Sequence, residues 1–231
     1  MIVPTMTLPE IHAELLKDSE EIQSSLDHKI DLFGSAVLKS RRYPVERRYT
    51  ITSKKRRNTF YANFSAYKRS HWKRPYFTLY CIYSRPEGLY CAHLNRTYRR
   101  TIVFPPHFFS RYRERVIQDS SLSTEDLIHL FCSRTHLISF HMMPTELQKQ
   151  MRSWNGYPKD EELQFVAVCP DGVLFGQRTG DVTLAKTIVT PSMLYEDQLP
   201  LYNQLHERYT LRVREYFCKE EAEHIFSLTR T

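Results

Sequence analysis

Apolar residues recur at helical spacing in the first part of the chain. The apolar stripe consists of Ile11, Leu15, Ile22, Leu26, Ile30 and Phe33. Thr7 and Glu10 form a capping box ahead of it, and Pro9 lies in the first turn. We expect Gly34 to end the helix, because glycine commonly follows the last helical turn. The pattern predicts one helix over 8–33, which either covers a sheet or mediates association.

Between residues 45 and 104 the apolar period changes to that of β-strands. Five segments rich in Tyr, Thr, Phe and Ile read "VERRYTIT", "TFYANFSAYK", "PYFTLYCIYS", "LYCAHLNRT" and "RTIVF". The charged loops "KKRRN" and "KRSHWKRP" join some of them, so we expect an antiparallel meander. If Gly88 is the left-handed residue after the turn in "SRPEG", Ser84 pairs with Tyr90. That register sets Cys81 and Cys91 diagonally, and we expect no disulfide between them.

The second half of the chain mixes helices and strands. Pro105 and Pro106 begin a helix that runs to Val116, and Ser123 caps a second helix with Asp126 three residues on. The block "ELQFVAVCPDGVLFGQRTGDVTLAKTIVTP" predicts three strands joined by turns, and a helix broken near Pro200 follows it. The predicted fold class is α+β, with antiparallel β-meanders, packed helices and helical extensions at both ends. We divide the chain into an N-terminal extension, 1–38, a basic core, 39–190, and a C-terminal extension, 191–231.

Composition excludes several classes of protein. No run of eighteen apolar residues exists, so we expect no membrane span, and the first residues lack the pattern of a secretory signal. The five cysteines are scattered and odd in number, which indicates reduced thiols and predicts a cytoplasmic location. No Cys pair or His cluster has the spacing of a zinc site, and no nucleotide-binding motif is found. We therefore predict neither a metal nor a cofactor.

Positive charge is concentrated in one third of the chain. Residues 39–115 hold 20 Lys and Arg against three acids, a balance of +17, and 17 of the 30 aromatic residues. Basic residues neutralise phosphates and aromatic rings stack on unpaired bases, so this segment predicts a nucleic-acid partner, RNA rather than DNA. The predicted nucleic-acid-binding residues are Arg56, Arg57, Lys73, Arg74, Arg99, Arg100 and Tyr112.

The helix from Pro105 to Val116 carries candidate catalytic groups. His107, Arg111 and Arg115 follow one another at four-residue intervals, and each step of four turns the helix by about 40°. This row borders the apolar stripe. Histidine transfers protons near neutral pH, and arginine binds phosphate oxygens with paired hydrogen bonds. The row could therefore serve metal-independent RNA cleavage, which needs a second proton-transfer group. The candidates for that group are His93, His141, Lys186 and Tyr112.

The segment "HFFSRYRERVIQDSSLSTEDLIHLF" resembles the signature region of small bacterial families in the RelE-like toxin clan. In those families H-x-x-x-R-x-x-x-R is followed by a second helix and a few strands. The resemblance implies that His107, Arg111 and Arg115 act in a metal-independent ribonuclease. It also implies a polar residue near the end of the last strand, which corresponds to Thr187 or Thr190.

Two hypotheses on function stay open from the sequence. The first is an intracellular protein that engages nucleic acid and cleaves RNA in the manner of a RelE-like toxin. The second is a binding module without catalysis, for RNA, single-stranded DNA or a protein, in a mobile element or regulatory system. In either case, self-association or binding of a protein partner through residues 8–33 is expected as a further interaction.

Overall fold

In a computed structural model, the chain forms two compact units, and residues 1–135, 138–142, 145–155, 157 and 165–227 are described. The first unit comprises Met1–Val103 with Thr179–Val182, and the second Phe104–Arg178 with Thr183–Thr231. These units differ from the three predicted segments. The N-terminal helices belong with the first strands, and the C-terminal helices belong with the later ones. The predicted α+β class is confirmed, with helices at both termini. None of the helices in the described ranges is both long enough and apolar enough to cross a membrane.

The N-terminal stripe forms two helices instead of one. Helix α1 spans Leu8–Glu21 and begins with the predicted capping box, whereas α2 spans Gln23–Lys39, and the two meet at Ile22. Both bury apolar residues, and the ring of Phe33 stacks on that of Phe64 with centroids 5.5 Å apart. Of the two roles predicted for this segment, covering a sheet is the one observed.

Gly34 lies inside α2, so the prediction that it ends the helix is wrong. A Cβ atom at this position would lie 2.5 Å from the backbone oxygen of Trp72. Real Cβ atoms do not approach an oxygen so closely. The glycine therefore permits close packing between the helix and the loop that carries Trp72.

Five strands of the first unit follow the predicted meander. They are β1 (Val45–Thr52), β2 (Thr59–Ala66), β3 (Tyr76–Arg85), β4 (Gly88–Asn95) and β5 (Arg100–Phe104), adjacent in that order. The pairs β1–β2, β2–β3 and β3–β4 are antiparallel. On β2, Phe60, Ala62 and Phe64 face the side on which Phe33 packs, as the alternation predicts.

The β3–β4 hairpin departs from its predicted register by one residue. Arg85 pairs with Gly88 and Ser84 with Leu89, because the loop contains only Pro86 and Glu87. Cys81 therefore lies opposite Ala92, and Cys91 lies opposite Ile82. Side chains alternate along a strand, so the two thiols occupy opposite faces instead of a diagonal. Both cysteines are buried, and neither forms a disulfide.

A buried carboxylate ties α1 to the loop between β1 and β2. Asp18 is fully buried, and its oxygens accept hydrogen bonds from the hydroxyl of Ser53 at 3.0 Å and the amide of Asn58 at 2.6 Å. Glu21 of the same helix accepts from the backbone N–H groups of Lys54 and Lys55. The bond from Lys55 is the main cause of a lowered pKa of Glu21. The acidic face of α1 thus holds the basic loop in place.

The second unit begins with a short helix and an aromatic core. Helix α3 spans Pro106–Tyr112 and continues into one π-helical turn, Arg113–Ile117, and α4 spans Thr124–Arg134 with the predicted Ser123 cap. Rings from β5, α3 and α4 pack together with centroids 4.9–6.4 Å apart. They belong to Phe104, Phe108, Phe109, Tyr112 and Phe131.

The rest of the second unit contains four strands and three α-helices among its described residues. The strands are β6 (Ser139–Met142), β7 (Phe165–Cys169), β8 (Gly172–Thr179) and β9 (Val182–Val189), adjacent in the order β9-β8-β7-β6. The helices are α5 (Thr145–Met151), α6 (Leu199–Tyr216) and α7 (Lys219–Ser227). Pro200 lies in the first turn of α6, where its missing N–H costs nothing, so it helps to begin the helix instead of breaking one.

We predict that Asp18→Ala lowers the free energy of unfolding by about 3 kcal/mol, because the buried groups of Ser53 and Asn58 lose their acceptor. The measurement is equilibrium urea denaturation. Asp27→Ala is the matched control, since Asp27 is an exposed aspartate on α2, and we expect a change within about 0.5 kcal/mol. Equal effects of the two substitutions would contradict this role of Asp18.

Candidate nucleic-acid interface

The predicted His107–Arg111–Arg115 row begins on α3 and ends on the π-helical turn. His107 and Arg111 are exposed, whereas Arg115 is half-buried. The N–H of Gln118 donates to the oxygen of Arg113, five residues earlier, which closes the wider turn. The regular α-helical rotation of about 40° for every four residues therefore holds from His107 to Arg111 but not as far as Arg115. Single π-helical turns are frequent at functional sites.

Arg115 contacts strand β9. One of its Nη1 hydrogens is donated to the hydroxyl of Thr187 at 3.1 Å, and the same nitrogen donates to the backbone oxygen of Ile188 at 2.5 Å. Burial lowers the pKa of Arg115, and the neighbouring charge of Arg111 lowers it further. The π-helical turn and the polar residue Thr187 of β9 are thus in direct contact.

Tyr112 cannot contact nucleic acid in this structure, so its assignment to the binding residues is wrong. Its side chain is fully buried, and its hydroxyl donates to Asp171 at 2.7 Å. Arg134 donates to the other oxygen of Asp171 at 2.8 Å. Burial and the adjacent carboxylate raise the pKa of Tyr112. The same contacts exclude Tyr112 as the second proton-transfer group.

The other candidates for proton transfer are His93, Lys186 and His141. Burial lowers the pKa of His93 to about 4, so its imidazole is neutral near pH 7 and takes up a proton poorly. Lys186 is half-buried on β9 and has interactions of its own. The side chain of His141 lies outside the described residues.

Arg56 is engaged by acidic side chains of α1. Its guanidinium lies 3.0 Å from Asp18, 3.2 Å from Glu14 and 3.8 Å from Glu21. The hydrogen bond to Asp18 is the main cause of its raised pKa. Because three carboxylates surround this cation, the prediction that it binds phosphate is replaced by a role in fixing the loop.

Arg57, Arg99 and Arg100 are exposed, as a nucleic-acid contact requires. Arg99 pairs with Glu20 at 3.2 Å, and both side chains are well solvated, so this pair adds little to stability. Arg57 and Arg99 adopt left-handed backbone conformations in their turns, with φ of 58° and 50°. These three residues remain predicted contacts.

Exposed basic and aromatic side chains lie close together around Trp72. The loop of residues 67–75 forms a short helical turn, Arg69–Trp72, and the ring of His71 packs edge-on against Tyr76 at 5.2 Å. Trp72 is 38% exposed, and the Nζ of Lys73 lies 4.8 Å from the centre of its ring. The loop and α2 enclose a groove of about 520 Å³. We call this the Trp72 groove, and it is lined by Asp31, Ser35, Leu38, Trp72, Lys73 and Arg74.

Lys73 and Arg74 are accessible to a nucleic acid, and their role in binding stays a prediction. Both are exposed, and within the part of the chain that the structure describes neither forms an ion pair with an acid. Their charges are therefore available to a phosphate, in contrast to that of Arg56. Trp72 itself was not among the predicted residues, although a tryptophan between charged residues in a loop is a sequence signal of exposure.

Comparison with known proteins adds no assignment: no protein-family model matches the chain, and no match appears among curated proteins or solved structures. Within the described ranges, no three His, Cys, Asp or Glu side chains gather as a metal site would require.

We predict that Gly34→Ala lowers the free energy of unfolding by about 1–3 kcal/mol, because the new methyl group meets the oxygen of Trp72. Helix propensity alone predicts the opposite sign, a stabilisation of about 1 kcal/mol. Urea denaturation distinguishes the two. Ser25→Ala, at an exposed position of the same helix, serves as the control and should leave stability nearly unchanged. A more stable Gly34→Ala variant would contradict the close packing.

Proposed function

We propose that this protein binds unpaired RNA, and that the Trp72 groove is its principal contact. The observation that carries the proposal is an exposed tryptophan followed by two cations that form no ion pair with an acid among the described residues. An indole ring offers a stacking surface for a base, worth about 1–3 kcal/mol, and cations hold the adjacent phosphates. A duplex buries its base faces, so this surface suits a single strand.

The distribution of charge supports the same proposal. Acidic residues of α1 neutralise Arg56, but Arg57, Lys73, Arg74 and Arg100 are exposed on the same unit. RNA is preferred over DNA in this proposal because the resemblance of the 107–131 segment is to ribonucleases. A cytoplasmic location accompanies the proposal, as cysteines without disulfides and an RNA partner suggest.

We predict that Trp72→Ala weakens binding of a single-stranded RNA by roughly tenfold. Replacing both Lys73 and Arg74 by alanine should also weaken binding and reduce the slope of log affinity against log salt by about 1.4, since each cation neutralises one phosphate. Fluorescence anisotropy of a labelled oligonucleotide at several salt concentrations measures both effects. The matched control removes two exposed arginines of α6, Arg212 and Arg214, and should change affinity much less.

Equal losses in the loop variant and the α6 variant would mean that net charge alone attracts RNA, and the proposed site would be wrong. Absence of RNA binding at low salt would remove the function altogether. In that case an acidic protein partner becomes the better candidate for the same basic surface. Self-association through 8–33 is a separate proposal that sedimentation can test. It would have to use the solvent-facing side of α1 and α2, because all of their apolar stripe except the half-buried Ile30 is buried.

Metal-independent RNA cleavage is the second candidate, and the contact between Arg115 and Thr187 favours it. In this reaction the 2′-oxygen attacks the adjacent phosphorus, the 5′-oxygen leaves, and a 2′,3′-cyclic phosphate remains. The 2′-hydroxyl loses a proton and the leaving oxygen gains one, and His107 can serve one of these transfers. Arg111, exposed beside Arg115, can bind the phosphate oxygens.

We predict that, if this candidate is right, purified protein cleaves RNA in excess EDTA and His107→Ala lowers the rate by at least about a hundredfold. The products are identified by their cyclic phosphate ends. His28→Ala, an exposed histidine of α2, is the control for adventitious nuclease and should cleave at the wild-type rate. Cleavage by His107→Ala at that rate, or none by the wild type, would eliminate the enzyme and leave the binding protein.

A further inference from the structure

The Trp72 groove contains a carboxylate beside its two cations. Asp31 lies on α2 and lines the groove together with Trp72, Lys73 and Arg74. Its side chain is exposed and forms no hydrogen bond or ion pair with any residue that the structure describes. A carboxylate repels phosphate, so in a groove that binds a nucleotide it must either weaken binding or accept hydrogen bonds from the base.

We propose that Asp31 selects guanine as the base that stacks on Trp72. The Watson–Crick edge of guanine presents two adjacent donors, N1–H and the N2 amino group, and a carboxylate accepts both in parallel. Adenine and cytosine present one amino group beside an unprotonated ring nitrogen, which repels the second carboxylate oxygen. Uracil presents one N–H between two carbonyl oxygens. The expected order of preference is therefore guanine first and uracil last. This inference rests on the proposed RNA-binding function.

The backbone of α2 gives Asp31 a fixed place in the groove. Asp31, Ser35 and Leu38 are spaced four and three residues apart, so they lie on one face of the helix. The hydroxyl of Ser35 donates to the backbone oxygen of Asp31 at 3.1 Å. The loop is held against the same helix by its close packing at Gly34. The indole ring of Trp72 and the carboxylate of Asp31 thus belong to two elements that contact each other. This contact gives the groove a defined geometry in the absence of a bound base.

The groove offers contacts to both the base and the phosphate of a nucleotide. Trp72 provides the stacking surface, Asp31 the acceptor for the base edge, and Lys73 and Arg74 the charges for the sugar–phosphate backbone. Its volume of about 520 Å³ is within the range of about 300–1,000 Å³ that is usual for small-molecule sites. Leu38, 36% exposed, adds an apolar surface to the groove.

The test uses the full chain and five RNA heptamers in which one central nucleotide is varied between three uridines on each side. The central base is guanine, hypoxanthine, adenine, cytosine or uracil. Hypoxanthine lacks only the N2 amino group of guanine, so it isolates one hydrogen bond. Quenching of tryptophan fluorescence reports on Trp72, because the other tryptophan, Trp154, is 1% exposed. Anisotropy of labelled heptamers gives the affinities of variants that lack this signal.

We expect the guanine heptamer to bind roughly tenfold more tightly than the uracil heptamer, and hypoxanthine to lose about half of that advantage on a logarithmic scale. Asp31→Asn should abolish the guanine preference while binding the other heptamers at least as tightly, since a repelling charge is removed. Asp27→Asn makes the same change of charge on the same helix outside the groove, and should keep the preference.

The outcomes separate this inference from the proposed function. If all five heptamers bind equally and Trp72→Ala weakens them all, RNA binding stands and guanine selection by Asp31 is wrong. If guanine is preferred equally by the wild type and Asp31→Asn, another group selects the base. If Trp72→Ala changes nothing for any heptamer, the proposed function fails first.

Discussion

The arrangement of the first unit depends on a carboxylate that has been taken out of water. Asp18 is fully buried, and it is tolerated there because Ser53, Asn58 and Arg56 supply hydrogen bonds to it. An unsatisfied buried charge costs several kcal/mol, so this network strongly favours one placement of α1 over the loop between β1 and β2. Helix α2 follows directly, and its Phe33 stacks on Phe64 of the sheet. These contacts fix the position of α2, which forms one side of the Trp72 groove, although none of the residues that make them lines the groove.

The same network shows that the cations of the basic segment, residues 39–115, have different roles. Some of its cations serve the fold, as Arg56 does, whereas Lys73 and Arg74 are left to solvent beside an exposed indole. A count of charges treats these groups alike, but their ion-pair partners distinguish them. The positive charge that is available to a polyanion is therefore smaller and more localised than the total charge of the segment. Because two of the exposed cations share a groove with an indole ring and a carboxylate, they form a candidate binding site and not only a diffuse positive surface.

Much of the fold was predictable because local signals agreed with it. The alternation in β2, the cap at Ser123 and the turn residues before β8 and β9 all predict the observed elements. What failed depended on contacts distant in sequence. Gly34 does not end its helix because the backbone at Trp72 needs its space, and Tyr112 is buried because Asp171 accepts its hydroxyl hydrogen. The one-residue change in the β3–β4 register arose from loop length, which sequence alone leaves open between two turn types.

The central claim is that RNA contacts the loop around Trp72. Its most direct test is photo-cross-linking of the unmodified protein to a single-stranded RNA that contains 4-thiouridine, followed by digestion with trypsin and mass spectrometry. Trypsin releases residues 70–73 as one peptide, "SHWK". We predict a nucleotide adduct on this peptide, lost when excess unlabelled single strand is added but kept with excess duplex. Efficient cross-linking confined to other parts of the chain, with none at residues 70–73, would contradict the account.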